Sequence, residues 1–547
     1  MAGEGQLWHE GGNKGNIVDY LFEKSLEYAN GHRPYLKSHD ETWSFRRLAD
    51  RTNQVGNLLK SLGVLPGDRV LFSVVDGIDF PALFLGSMKI GAIAVPISTY
   101  LKSSDYRYYI NDSGAKIVVA DHTLEPIMAG ILGKLTNVAH VWVTRAPGRE
   151  FPFFDEAIES QSAVCDSFAC HPNDMAFWLY SSGSTGDPKG VVHTGPHLYW
   201  ATELFGIGTQ GISKDDVILC PPKMYFAFGL GNQVYFPIRT GAQVLVNPDM
   251  ITPEKIWEQW LEYEPTIVVS VPTLYASMLR IAETRLGRDR VRKACHRLRF
   301  CVSGGEVLPP SLVERWQEFA GVEILDGVGT TELTHMFILN RPGNIVPRSS
   351  GQLVRGYRAE LLDDDGKVVP PGEIGNLHVY GPTAAEQYWN KPDATARVMK
   401  NGGVMTGDKF SQDQEGNFYF VGRADDMLRV GGVWVSPAEV ESVIAQHESV
   451  LECAVVGHPD SNNMIKPKAY VVLRSQDPTN SRDLELKLRD HVRERLAHIK
   501  CPRWFEFVSE LPKTSTGKLQ RFRLREGSAG APPAFHGSSA NYNSRNE

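Results

Sequence analysis

Long apolar runs are missing from this chain of 547 residues. The nearest approach to the ~18 uncharged apolar residues that a membrane-spanning helix needs is residues 80–97, which Gly86, Lys89 and Gly91 interrupt, so the stretch predicts a helix followed by a strand. Cysteine is scarce: there are seven, with no paired CxxC spacing, which predicts reduced, mostly structural thiols. Cys165, Cys170 and His171 lie close together but lack the second ligand pair that a closed metal site requires. No basic run offsets the formal net charge of −7, which argues against a nucleic-acid partner. The opening MAGEGQLWHE lacks the charged-then-apolar pattern of a secretory signal, and the expected compartment is the cytoplasm, without a membrane partner.

What is present is a large soluble composition, 42% hydrophobic, enough to fill two or more cores. Residues 180–190, YSSGSTGDPKG, follow an apolar run at 175–179 (MAFWL) that predicts a buried strand. Gly183, Gly186 and Gly190 free the backbone to turn its N–H groups onto phosphate oxygens, Ser181, Ser182, Ser184 and Thr185 add hydroxyl donors, and Lys189 adds a point charge. The spacing is not that of the Walker loop, because no Ser or Thr follows the lysine, so the P-loop NTPase fold is not implied. A solvated Gly/Ser linker would have equally polar flanks.

Strand-like and helical runs alternate through the first three quarters of the chain. Residues 69–75, a helical stretch through Phe84 and Met88, and residues 92–96 make one βαβ unit, and a second series of strands at 217–220, 243–246, 266–271, 300–303 and 322–325 follows the phosphate loop. Two open α/β layers are the economical reading. From residue 351 short strands and turn signals (DDDGK, PPGEIG) predict a smaller β subdomain, and residues 437–508 predict a compact α+β unit. The tail 527–547, rich in Gly, Ala, Pro, Ser and Asn, is expected to be disordered.

YSSGSTGDPKG resembles the phosphate-loop motif of the adenylate-forming superfamily of acyl-CoA synthetases, adenylation domains and luciferases. DGVGTTE at 326–332, TGD at 406–408, GRADDM at 422–427 and LPKTSTGKLQR at 511–521 resemble further motifs of that superfamily, in its order. The resemblance implies a large N-terminal domain (1–422) of two α/β subdomains and a small β subdomain, a hinge at 423–426 with Asp425 at the pivot, and a mobile small α+β C-terminal domain (427–526). It also implies that ATP, Mg²⁺ and coenzyme A are used. By the same resemblance Glu332 is the metal-coordinating acid with Thr331 beside it, Thr185 and Lys189 act on the phosphates, and Asp408 takes the ribose hydroxyls with help from Arg423. Gly304, Gly305 and Glu306 of SGGE, with the loop of Asp326, Gly327, Val328 and Gly329 leading into Thr330, match the adenine walls. Lys518 matches the catalytic lysine. Gly431 and Gly432 match the face that admits the pantetheine arm after the small domain rotates. One departure is Arg429, where relatives often carry lysine, so lysine acetylation at that position does not transfer.

Within this superfamily, FAFGLGN at 226–232 with DGVGTTELTHMF at 326–337 is most similar to the benzoate-CoA ligase branch. Amino-acid adenylation domains place aspartate after the aromatic residue, and here Ala227 follows Phe226, so an α-amino acid is disfavoured. The matching positions for a flat aromatic carboxylic acid are Phe226, Ala227, Phe228, Gly327, Gly329, His335 and Met336. His335 would hold the carboxylate or a ring substituent, or cap a turn. Phe228 stands where many relatives carry tyrosine. The favoured expectation is an ATP-dependent aromatic carboxylate:CoA ligase acting through an acyl-adenylate, as a monomer or homodimer. A medium-chain or other acyl-CoA ligase and a non-catalytic nucleotide-binding relative are the alternatives. The chain ends RNE, not a peroxisomal tripeptide of the kind luciferases carry.

Overall fold

The computed structural model describes residues 15–181, 187–248, 251–430, 433–461, 464–474, 481–513 and 519–525. Among these residues, two mostly parallel sheets of nine and six strands carry the chain up to about residue 350, as the alternating pattern predicts. The central strands are short β-branched runs, such as IVVAD at Ile117–Asp121 and IVVS at Ile267–Ser270, buried at every position. Strands covered by helices on both faces require that composition. The covering helices show the complementary period: Phe45–Ser61 begins where the Ser44 hydroxyl accepts from the Arg47 N–H, and it turns Leu48, Thr52, Val55 and Leu59 inward. One continuous apolar core joins both sheets, with Val70, Phe72 and Phe177 from the smaller and Ile218, Val244 and Val302 from the larger.

The larger sheet recruits its far edge from the N-terminus, where Pro34–Lys37 pairs in parallel with Gln243–Leu245. Nothing local in the sequence marks that long-range pairing. In the smaller sheet the last two strands, Met175–Ser181 and Lys189–Thr194, run antiparallel with Ser181 opposite Lys189, so the phosphate-loop motif lies between two paired strands. Residues 326–329, expected as a loop, instead complete the strand Ile324–Gly329. The chain folds back there, and Met336–Leu339 pairs antiparallel with them.

The expected β subdomain is an antiparallel sheet containing Arg358–Leu362, Gly375–Tyr380, Gly403–Gln412 and Phe418–Arg423, although Gln352–Leu353 still belongs to the edge of the larger sheet. The C-terminal unit packs Pro437–Ile444 and Ser481–Arg493 with the strands Val450–Pro459, Ile465–Leu473 and Trp504–Phe507. Asp426, in the turn before that unit, is paired with Arg521 at 3.2 Å, and Arg521 also binds Glu441 at 2.7 Å. Among the described residues no helix is long and apolar enough to cross a membrane. The tail 527–547 lies outside the described residues.

Candidate active site

Open α/β sheets gather ligands beyond the C-terminal ends of their strands. Here those ends bring Ser181 and the turn after Gly329 together. Glu332 sits in the short helical turn Thr331–Leu333, and its carboxylate accepts from Ser181 Oγ at 3.2 Å, from the Tyr388 hydroxyl at 2.8 Å and from Thr330 Oγ1. Burial pushes the Tyr388 phenol up and the adjacent Glu332 pushes it the same way, so it remains a donor. Lys189 Nζ lies 5.4 Å from the centre of the Tyr388 ring. Ser181, Lys189, Tyr388 and the metal-ligand candidate Glu332 therefore share one corner. Ser182, Gly183, Ser184, Thr185 and Gly186 lie outside the described residues, as do Gly431, Gly432 and Lys518.

The turn is held from behind by a histidine that the sequence reading did not single out. His193 Nε2 lies 2.8 Å from the Thr331 carbonyl, which can only accept, so Nε2 carries the proton. Its Nδ1 faces His197 Nδ1 at 3.0 Å and Thr334 Oγ1 at 3.2 Å. Burial brings His193 down to about 4, which keeps the ring neutral. Thr334 adopts φ +67° and ψ −42°, a conformation costing a β-branched residue on the order of 1–3 kcal/mol. Its hydroxyl bond to the Thr383 carbonyl at 3.2 Å and that of Thr383 to the Leu333 carbonyl at 2.8 Å hold the conformation. The result is a fixed orientation for Glu332.

Asp408 and Arg423 are paired at 3.0 Å across adjacent strands. Burial raises the Asp408 carboxyl, and Arg423 draws it back down. Gly407, at φ +74°, passes so close that a Cβ there would lie 2.9 Å from Arg423 Nη2. Arg423 also reaches Asp425 at 3.6 Å, so the ribose and hinge candidates share one guanidinium. In the adenine-wall segment, Asp326 is raised to about 7 by burial, with the Ser350 hydroxyl at 3.1 Å and the Gly327 amide pulling the other way. Val328 pairs with Ile338, and Gly305 takes φ +83°. The exposed Glu306 carboxylate receives Thr273 Oγ1 at 2.5 Å.

Past the same turn, His335 and Met336 face the acyl-site candidates. A Cβ on Gly304 would come within 2.3 Å of Met336 Cε and 3.8 Å of Phe228 Cζ, and one on Gly327 within 3.0 Å of Met336 Sδ. Side chains at those glycines would therefore occupy the space beside Met336 and Phe228. His335 is caged by Phe205, Phe236 and Phe228 at ring-centroid distances of 4.7, 4.8 and 5.8 Å. Burial drives it down to about 3, so the ring is neutral, and its Nε2 lies 3.1 Å from Asn232 Nδ2. Ala227 and Phe228 are half-buried and pack against the edge of the main core, whereas Phe226 is exposed at 37%. Tyr388, His193 and Phe205 carried no local signal. Asn232 stood within the motif 226–232 without being assigned a role.

Cation ligands fit this corner in type: a carboxylate and hydroxyl oxygens suit a hard ion that keeps phosphate and water ligands. Among the described residues no group of three or more His, Cys, Asp or Glu could hold a metal ion.

Comparison with known proteins agrees with this geometry. A 41% identical relative over 93% of this chain and 95% of its own length is the benzoate–CoA ligase of Thauera aromatica, and a 36% identical one, covering 93% of each, is the 4-hydroxybenzoate–CoA/benzoate–CoA ligase of Rhodopseudomonas palustris. Among solved structures, the anthranilate CoA ligase AuaEII in complex with anthranoyl-AMP superposes with a TM-score of 0.87 at 39% identity over 94% of this chain and 97% of that one. A benzoate CoA ligase from Burkholderia xenovorans LB400 gives 0.84 at 36% identity over 93% and 99%. The model of the AMP-binding enzyme matches residues 22–389, and that of the AMP-binding enzyme C-terminal domain matches residues 439–518. The corner built around Glu332 lies inside the first of these matches, and the chain is a member of the AMP-binding enzyme family.

Proposed function

We propose that this protein is an ATP-dependent ligase that joins an aromatic carboxylic acid of the benzoate type to coenzyme A, releasing AMP and pyrophosphate. The observation that carries the reading is that one turn supplies both halves of the site. Thr331 and Glu332 face the phosphate-loop strands, and His335 and Met336, three and four residues after Glu332, face the Phe228 side.

A carboxylate is a poor acyl donor because a thiol would have to expel oxide. Attack of the carboxylate on the α-phosphate of ATP makes that oxygen part of a phosphate leaving group, and the thiol of coenzyme A then displaces AMP. The first step brings anions together, and cations and fixed donors offset their repulsion. Lys189 and the hydroxyls of residues 181–185 supply them, with Lys518 at the reacting carboxylate and α-phosphate. Mg²⁺ held at Glu332 would neutralise charge on the phosphates. Ser181, Tyr388 and Thr330 orient that carboxylate, and Asp408 with Arg423 holds the ribose. We assign residues 1–422 to the nucleotide and acyl domain and 427–526 to a domain that turns about 423–426 between half-reactions, bringing Gly431 and Gly432 to the site for the thiol.

The test is AMP release dependent on coenzyme A, measured across benzoate, hydroxy-, amino- and halobenzoates, cinnamates and aliphatic acids. Benzoate-type acids should give the highest kcat/KM. Phe228→Ala should lose about 1 to 3 kcal/mol of transition-state binding with benzoate and gain relative activity with larger para-substituted rings. Preference of the wild type for octanoate would make this a fatty-acyl ligase, and no AMP release from any acid would make it a non-catalytic relative.

A further inference from the structure

The loop that carries Phe226, Ala227 and Phe228 leaves the larger sheet after Val217–Leu219, yet its anchor belongs to the other sheet. Asp76, just beyond the strand Arg69–Ser73 of the smaller sheet, is only 2% exposed. Its two oxygens take separate partners on that loop: Oδ1 accepts from the Met224 N–H at 3.0 Å, and Oδ2 lies 3.2 Å from Lys223 Nζ. Lys223 Nζ also donates to the Asn247 carbonyl at 3.1 Å, beyond the strand Gln243–Leu245. The ion pair thus ties the ends of strands in both sheets to the base of the acyl-site loop.

From that base the backbone passes the position on. The Phe226 N–H donates to the Lys223 carbonyl at 3.1 Å, and the Leu230 N–H to the Phe226 carbonyl at 2.7 Å. Gly229 packs so tightly beneath the turn that a Cβ there would lie 2.1 Å from the Lys223 oxygen and 2.4 Å from the Pro222 oxygen. A displacement of Lys223 or Met224 therefore has no slack before Phe228. A buried ion pair adds little to stability compared with an apolar pair of the same volume, whereas removing one partner leaves the other charge buried and unpaired.

We infer that Asp76, acting through Lys223 and the Met224 amide, is a positioning residue that determines acid specificity by setting where Phe226 and Phe228 stand. The identity of the acid rests on the function proposed above, whereas the positioning role does not. Asp76→Asn, Lys223→Met and the double variant, made in the full chain, test it through kcat and KM for ATP and for the acid that the wild type uses best. The single variants should lower kcat/KM for the acid by about 10- to 100-fold, with the KM for ATP within about twofold of wild type. They should also shift the ratio between benzoate and longer acids. The double variant should recover thermal stability, since it leaves no unpaired buried charge, without recovering that ratio. Should Asp76→Asn not fold, the double variant carries the test alone. Equal losses for ATP and acid, or a double variant that restores the acid ratio along with stability, would overturn the proposal. A wild type that favours a non-aromatic acid would refute the functional reading, while the same split, measured on that acid, would still decide this one.

Discussion

His335 joins burial to pH in a way that can be measured. The unfolded chain protonates this imidazole around 6.5, and the folded protein holds it neutral down to about 3. Between those values the unfolded state binds the extra proton, so the stability His335 contributes is complete above 6.5 and falls by about 1.4 kcal/mol per pH unit as the solution is acidified toward 3. His335→Gln removes the titration. The difference in stability between wild type and variant, read from urea midpoints, should therefore shrink as pH drops from about 7.5 to about 4.5. A difference independent of pH would mean that the ring is solvated or charged in the folded protein. Asp326 works in the opposite sense: its carboxyl, raised to about 7, favours the folded state as pH falls, and the comparison with the variant cancels that contribution.

The helical segments around His335 show how an element, more than a residue, shapes the proposed acyl site. Ala201–Ile207 and Gly231–Tyr235 are wound as π-helix, the second between α-helical turns. A π turn accommodates an extra residue and re-aims the side chains that follow, which is why such turns recur at functional sites. Here they direct Phe205 and Asn232 at the same imidazole. Gly231 permits the approach, since a Cβ there would meet His335 Cδ2 at 2.5 Å and the Tyr235 hydroxyl at 2.9 Å. Alanine for glycine inside a helix ordinarily gains up to about 1 kcal/mol. At Gly231 the collision should reverse the sign, costing roughly 1–3 kcal/mol and lowering kcat/KM for the acid. Gly130, in the helix Glu125–Ile131 with nothing within 4 Å of its absent Cβ, is the control in which alanine should stabilise. Stabilisation at both positions, in thermal melts, would show that the cage around His335 is loose.

For the molecule as a whole, the proposed rotation about 423–426 separates the two half-reactions. Lys518→Ala should reduce acyl-adenylate formation by about two to four powers of ten and spare thioester formation from supplied acyl-adenylate. Gly432→Trp should do the reverse, leaving ATP–pyrophosphate exchange while blocking thioester formation. Equal loss of both steps in either folded variant would count against two alternating closures.

The architecture was largely legible in the sequence because parallel strands buried on both faces must be short apolar runs, and helices between them must show a 3.6-residue period. The pairing of Pro34–Lys37 with the larger sheet was not legible, since register across two hundred residues leaves no local trace. The site divided in the same way. Ser181, Lys189, Glu332 and Asp408 lie in compact motifs whose chemistry can be argued from residue type. Tyr388 and His193 act on that corner from distant segments, and only folding brings the Tyr388 hydroxyl to 2.8 Å from Glu332 and the His193 ring to 2.8 Å from the Thr331 carbonyl.

The segment that delivers Tyr388 also delivers Trp389. Its backbone N–H donates to the Gly190 carbonyl at 2.7 Å, and its indole stacks on Trp178 with centroids 4.8 Å apart. Gly190 is the neighbour of Lys189, so this indole pair sits beside the strand that carries this phosphate-site candidate. The pair offers an optical probe of ATP arrival. Intrinsic fluorescence should change on addition of ATP, and Trp389→Phe should abolish most of that change among the 11 tryptophans. A signal unaltered in that variant would place the responding indole elsewhere.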